Sequence, residues 1–149
     1  MKKLIVFLAA AALAIQVNAQ TGKSEKVTAN DVPSSVTTSF NKSHTDAKMV
    51  NWKKVDSNYE VEFDETGTKK FIEYDVLGKE LTSKVKIKEA DIPASAKTYI
   101  DQNYKDVMMK EYYQVKDQSG TTWYAVKAKD KKVIFDSKGN YKKTEDCKE

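Results

Sequence analysis

Apolar side chains return every fourth residue in two stretches of the chain: Val32, Val36, Phe40 and His44 in the first, and Ile92, Ala96, Ile100 and Tyr104 in the second. Each set makes one stripe on a helix of 3.6-residue period. Asp31 and Asp91 stand where they would cap the first free amides, and Pro33 and Pro93 fall in the expected first turn, where a missing N–H costs nothing. After each helix the period drops to two. In "YEVEFD", Tyr59, Val61 and Phe63 share one face and Glu60 and Glu62 the other; "YAVKAK" does the same with Tyr124, Val126 and Ala128. Hairpin signals separate the strands: "DSN" at 56–58, "DETGT" at 64–68, "DVLGK" at 75–79, "DQSGT" at 117–121 and "DSKGN" at 136–140. Leu81, Ser83, Val85 and Ile87 alternate with polar residues and predict a fourth strand, whereas "YKKTEDCKE" at the end is expected to dissolve into a short tail.

The two stretches also repeat as sequence. At an offset of sixty, residues 31–55 and 91–115 share Asp31/Asp91, Pro33/Pro93, Ser35/Ser95, Thr38/Thr98, Asp46/Asp106, Met49/Met109 and Val55/Val115. The match continues with Tyr59 and Val61 against Tyr124 and Val126, then Asp75 and Gly78 against Asp136 and Gly139. Order-preserving similarity of this kind predicts an α+β protein of two tandem repeats. Each is a helix followed by a meander of three or four antiparallel strands, with the helices on one face of the sheet. The expected divisions are a leader at 1–19, a flexible lead-in at 20–30, repeat 1 at 31–88, and repeat 2 with a polar tail at 89–149. Two such units bury more surface together than either does alone.

A sheet covered on one side places apolar residues on one parity only, so aromatics on the other parity carry information. With Met49, Val55, Met109, Val115 and Tyr113 assigned to the helix side, Trp52 and Tyr112 point away from it. Phe71, Trp123 and Ile134 join them by the parity of Ile72/Tyr74, Tyr124 and Val133/Phe135. Trp52, Phe71, Tyr112, Trp123 and Ile134 are therefore the candidate partner-binding set. The competing reading is that they fill a second packed layer, where two sheets meet or a dimer forms.

Composition narrows the setting. The chain opens "MKKLIVFLAAAALAIQVNAQ": two lysines, an apolar run from Leu4 to Ile15, and small residues suited to cleavage near Ala19-Gln20. This is the pattern of a secretory leader, too short for a membrane span, and it predicts a periplasmic or secreted product with no stable membrane anchor. Without residues 1–19 the chain has 24 basic and 22 acidic residues. Near-balance and export both argue against nucleic acid as a partner. All the basic residues are lysines, so no guanidinium fork is available to grip phosphate or carboxylate. Cys147 is the single cysteine, which rules out an intramolecular disulfide.

No catalytic constellation is recognised. His44 is the only histidine, and its counterpart in the second stretch is Tyr104, so it reads as a half-buried packing residue rather than a base. One histidine and one cysteine cannot make a zinc or haem site, and no metal or cofactor is expected. Asp56, Asp64, Asp117 and Asp136 sit in short turns without the spacing of a calcium loop. The carboxylates that alternate with lysines read as solvent-facing charge pairs.

The "(V/I)P-x-S" helix starts, the aromatic-rich "MVNWKKV", "YEVEF" and "EYDVLGKEL" resemble the PepSY-like group of small exported bacterial proteins, a group similar to the β-lactamase inhibitory protein. The similarity runs from residue 31 to about 141. It implies a helix packed on an antiparallel sheet and used for protein binding or inhibition rather than catalysis. PepSY domains are associated with restraining peptidases, and the inhibitory protein grips an enzyme with the concave face of a joined sheet. No residue role carries over. The expectation is an exported, non-catalytic protein-binding module, an inhibitor or regulator of a periplasmic or secreted hydrolase in its most specific form. Small-ligand or peptide binding is the alternative, and a small hydrolase follows behind.

Overall fold

The computed structural model describes residues 24–147; the leader expected at 1–19 lies outside them. One antiparallel sheet takes its strands in chain order: β1 (Ser24–Val27), β2 (Lys48–Val55), β3 (Asn58–Glu65), β4 (Thr68–Tyr74), β5 (Glu80–Ile87), β6 (Glu111–Asp117), β7 (Thr122–Lys127), β8 (Lys131–Asp136) and β9 (Tyr141–Asp146). Helix α1 (Ser34–Ser43) enters between β1 and β2, and α2 (Ala94–Asn103) between β5 and β6. Both lie on the same side of the sheet, because their stripes and the same parity of strand residues make up the two main cores. One core gathers Val32, Val36 and Phe40 with Trp52, Tyr59, Val61, Phe63, Ile72 and Tyr74; the other gathers Ile92, Ala96 and Ile100 with Val126, Val133 and Phe135. Full burial of a side chain such as Val36 or Phe40 stabilises the fold by about 1.5–3 kcal/mol. These contacts, rather than helix propensity, hold ten-residue helices that would be marginal alone.

The helix starts differ in detail from the expectation. Pro33 and Pro93 are the N-cap residues, one place before the first turn. Asp31 and Asp91 cap backwards instead: each ends a short 3-10 turn and accepts a hydrogen bond from the backbone N–H of Thr28 or Lys88 (3.0 Å in both). Each helix start is also tied to a hairpin. Ser35 Oγ donates to the Val76 carbonyl (2.7 Å) in the β4–β5 turn, and Ser95 Oγ donates to that of Lys138 (2.6 Å) in the β8–β9 turn. The turn glycines make this approach possible. Gly78 has φ +82°, and a Cβ there would sit 2.5 Å from the Ser35 carbonyl oxygen; Gly139 has φ +83°, and its Cβ would meet that of Pro93 at 2.6 Å. Asp75, Asp117 and Asp136 each accept two backbone N–H bonds inside their own turns through Oδ1.

Two ends of the chain depart from expectation. Ser24–Val27, inside the segment expected to be a flexible lead-in, is the edge strand β1, paired with β2 from Ser24↔Val55 to Val27↔Trp52. "YKKTED", expected to dissolve, forms β9 and pairs with β8. Neither stretch has a clear two-residue period; the neighbouring strand supplies the order.

The largest correction concerns β2. Lys48 pairs with Asp64 and Asn51 with Glu62, so three steps on β2 face two on β3. Met49 sits at this bulge with φ 52°. One extra residue exchanges the two faces of everything counted across it. Met49, expected on the helix side, is 72% exposed, and Trp52, expected to point away, is 6% exposed under α1. Tyr112 likewise packs beside α2, while Tyr113 and Val115, expected inside, turn to the other face.

Candidate functional site: the sheet face away from the helices

Cross-strand partners share a face, so the register spells out what the uncovered side presents. Across the first half one row reads Lys53, Glu60, Glu73, Thr82. The corresponding row of the second half reads Tyr113, Ala125, Ile134, Lys143. A further row runs from β2 to β8: Asn51, Glu62, Phe71, Lys84, Val115, Trp123, Asp136. The first half is thus charged and the second largely apolar.

The apolar part is a small cluster. Tyr113, Val115 and Ala125 are buried, with Phe71 and Trp123 packed against them and half-buried. Phe71 meets Tyr113 edge to face, ring centroids 5.8 Å apart. Lys84 Nζ stands 4.4 Å over the Phe71 ring and 5.6 Å from that of Tyr113, and pairs with Glu60 at 3.3 Å. Among the described residues no helix or strand lies over this cluster. Its side chains shield one another, Lys84 reaches over the Phe71 ring, and Phe71 and Trp123 stay partly open. Burial, and after it the neighbouring Glu111 charge, raises the Tyr113 hydroxyl above the usual tyrosine range. Partial burial, the largest influence, works against the Glu111 charge, but hydrogen bonds from Lys86 and Tyr113 together with the charges of Lys86 and Lys127 keep the carboxyl below the ordinary glutamate value.

The five expected contact residues therefore divide. Phe71 and Trp123 stand on the uncovered face, partly open. Ile134 is on that face but only 5% exposed. Trp52 and Tyr112 belong to the helix side and leave the set. Tyr113 and Val115 enter it, and the sequence could not single them out because β6 carries apolar residues on both parities. Glu73 answers to Ile134 in the charged half; it is buried too, accepting from Asn58 Nδ2 (2.7 Å).

Elsewhere, two shallow hollows of about 520 and 510 Å³ open beside matching strand starts. One is lined by Lys86, Lys110, Glu111, Lys127, Lys129 and Cys147, and the other includes Lys26, Val50, Asn51, Lys53 and Glu62. His44 closes the end of α1: its ring stacks on Phe40 (5.3 Å), tilts against Phe63 (4.8 Å), and its Nδ1 lies 3.0 Å from Glu65 Oε1. Lys70 holds the other oxygen of Glu65 at 2.6 Å. The Lys70 hydrogen bond first, and that of His44 second, lower the Glu65 carboxyl below its ordinary value. The counterpart Tyr104 instead reaches Thr144, hydroxyl to hydroxyl, at 2.8 Å. The imidazole is thus a packed, hydrogen-bonded helix terminus.

The fold has solved relatives. A protein from Bacteroides eggerthii with a periplasmic description aligns with a TM-score of 0.70 at 14% identity, over 77% of this chain and 88% of its own. A DUF2874 family protein from Bacteroides uniformis gives 0.69 at 15% identity, over 77% and 89%. A BLIP-like protein from Bacteroides fragilis gives 0.61 at 17% identity, over 76% and 86%. Among curated proteins none matches the sequence. The family described as beta-lactamase-inhibitor-like, PepSY-like matches residues 18–79 and again 68–143. With most of its length matched, the chain belongs to the PepSY-like family.

Proposed function

We propose that this protein is an exported, non-catalytic binding module that takes a protein partner on the sheet face away from its helices. The observation that carries the reading is the Phe71–Tyr113–Trp123 cluster, aromatic and partly open on a face that no helix among the described residues covers, beside the charged first half. Partner surfaces commonly set such anchors inside a polar rim. Here the rim is Lys84, Lys86, Glu60 and Glu62. The family likeness supports a binding rather than a catalytic role, and the BLIP-like relative makes an inhibitor or regulator of a hydrolase the most specific form of the reading. The leader pattern and the periplasmic description of the B. eggerthii protein support export. The order of 3-10 turn, helix and four strands occurs twice along the chain, and the family matches it twice, which supports two copies of one unit.

The test is capture from the periplasm of the host with immobilised protein, in parallel with a Phe71→Glu/Trp123→Glu variant and with Leu77→Ser as an exposed control. A partner retained by the protein and the control but lost by the double variant supports the reading. Identical proteins on all three columns would end it. Assaying the captured partner for hydrolysis, with and without the protein, tests the inhibitory form. A second reading, small-ligand or peptide binding, draws on the hollow with four lysines at its wall, which suits a carboxylate or phosphate. Calorimetric titration with inorganic phosphate and with short acidic peptides separates it.

A further inference from the structure

Strand β9 closes the sheet on its second side, and among the described residues no strand pairs with its outer edge. The direction of its main-chain groups follows from its inner pairing. Cys147 N–H donates to the Asp130 carbonyl (2.8 Å), one step beyond the Lys131↔Asp146 pair. Lys131 and Asp146 are therefore a pair that exchanges no hydrogen bonds, and the alternation runs back along the strand. Lys143 and Glu145 turn their N–H and C=O toward β8; Thr144 and Asp146 turn theirs to the open edge. An edge of this kind is a template for another strand.

The charges along β9 read Lys142, Lys143, Thr144, Glu145, Asp146: two positive, a neutral centre, two negative. Lysines on an edge usually repel a second copy. Here each is matched by an acid at the same distance beyond Thr144. We propose that a second copy of this chain docks on β9, antiparallel, with the two-fold axis at Thr144, so that the sheet continues from one copy into the other. This goes beyond the partner-binding reading and does not depend on it.

The register follows from two constraints. A continuous sheet pairs residues of like parity, so the axis passes through a residue rather than between two. Centred on Lys143, the pairing sets Lys143 against itself; centred on Glu145, it sets Glu145 against itself. Centred on Thr144, it sets Lys143 against Glu145 and, at the looser bulged end, Lys142 against Asp146, twice each. Like charges directly opposite are unfavourable and opposite ones favourable, so the Thr144 register is selected. Within each chain Glu145 already holds Lys132 and Lys143 at 2.6 Å, so the acids and lysines of the two copies would form one network. In this register Cys147 lies across from Tyr141 and not from its own counterpart, and the association needs no disulfide.

Disulfide trapping tests the register. On a Cys147→Ser background, Lys143→Cys and Glu145→Cys chains are mixed and oxidised; their residues would face each other as a non-hydrogen-bonded pair about 4.5 Å apart between Cα atoms, within bridging range. A covalent dimer in the mixture, absent from either variant alone, is the expected result. A bridge in one variant alone, or none in the mixture, overturns the proposal. Sedimentation of the unmodified protein should give twice the chain mass, insensitive to reductant. Lys143→Glu should abolish that dimer, and Lys143→Glu/Glu145→Lys should restore it, with circular dichroism confirming the fold of each. A monomer for the unmodified protein, or a dimer unaffected by Lys143→Glu, equally overturns it.

Discussion

On the helix side of the first half, Trp52, Val61, Ile72 and Ser83 lie in one row across the sheet; in the second half the row reads Tyr112, Val126, Val133 and Thr144. Size and polarity agree position by position. On the opposite side Lys53, Glu60 and Glu73 stand where the second half has Tyr113, Ala125 and Ile134. The comparison separates two demands. Packing under a helix tolerates little change, so similar side chains fill both cores. The other face has no such constraint and carries a different chemistry in each half, charged in one and apolar in the other.

The sharpest way to break that comparison is in the cores. Phe63→Ala and Phe135→Ala each remove a ring with no exposed surface, and both should cost about 3–5 kcal/mol in chemical denaturation. The two rings stand on different strands of their halves, with Ala128 in the place of Phe63 and Tyr74 in the place of Phe135, so equal losses would show that each core depends on its own ring to the same degree. Next in size, Ile134→Glu copies the Glu73 row into the second half, where Trp123 stands in place of Asn58 and Lys143 in place of Thr82, both of which donate to Glu73. Burying that carboxylate without its amide should destabilise the protein by roughly 2–4 kcal/mol, measured by the same method. An unchanged midpoint would mean that the second face accommodates charge as readily as the first.

Smaller effects come from the turns. Gly78→Ala and Gly139→Ala combine left-handed backbone with a clash against the helix start, and should cost about 1–3 kcal/mol or more. Gly67→Ala shares the positive φ but has nothing within 4 Å, and should cost about 1 kcal/mol. Equal losses at all three would remove the docking of hairpin on helix from the account. Smallest of all are the helix ends. Because the folded Glu65 carboxyl lies below its ordinary 4.5, its contribution is present above about pH 5 and is lost as pH falls through the folded value. The stability lost in Glu65→Gln should accordingly shrink as pH falls below about 5. Tyr104→Phe removes a hydroxyl pair with no carboxylate and should cost about 0.5–1.5 kcal/mol at either pH. Melting curves at pH 4 and pH 7 distinguish the two ends.

The helix stripes, the turn aspartates and glycines and the parity of β3, β4, β7 and β8 were legible in the sequence: in β3 a buried face alternates with a charged one, and in β4, β7 and β8 the large core residues return at every second position. The face of Trp52 was not. It depends on a bulge at Met49 that no turn residue marks, and a two-residue count carried across it arrives on the wrong side. Val115 misled for a different reason: the adjacent Tyr112 and Tyr113 put an aromatic on each parity of β6, and Val115 shares the parity that faces away from the helices. β1 owes its order to β2, and β9 to β8, which a local pattern cannot register. The candidate site was thus half visible: Phe71 and Trp123 through parity, Tyr113 only through pairing.

β5 belongs to both halves, since its residues pair with β4 on one side and β6 on the other, and Ile87 packs against the second core. Neither half can be cut away whole: division before β5 strips the first of its last strand, and division after it bares Tyr112 and the flank of β6. The chain should therefore melt as a single cooperative body, and a gene encoding either half alone should yield a protein that fails to fold.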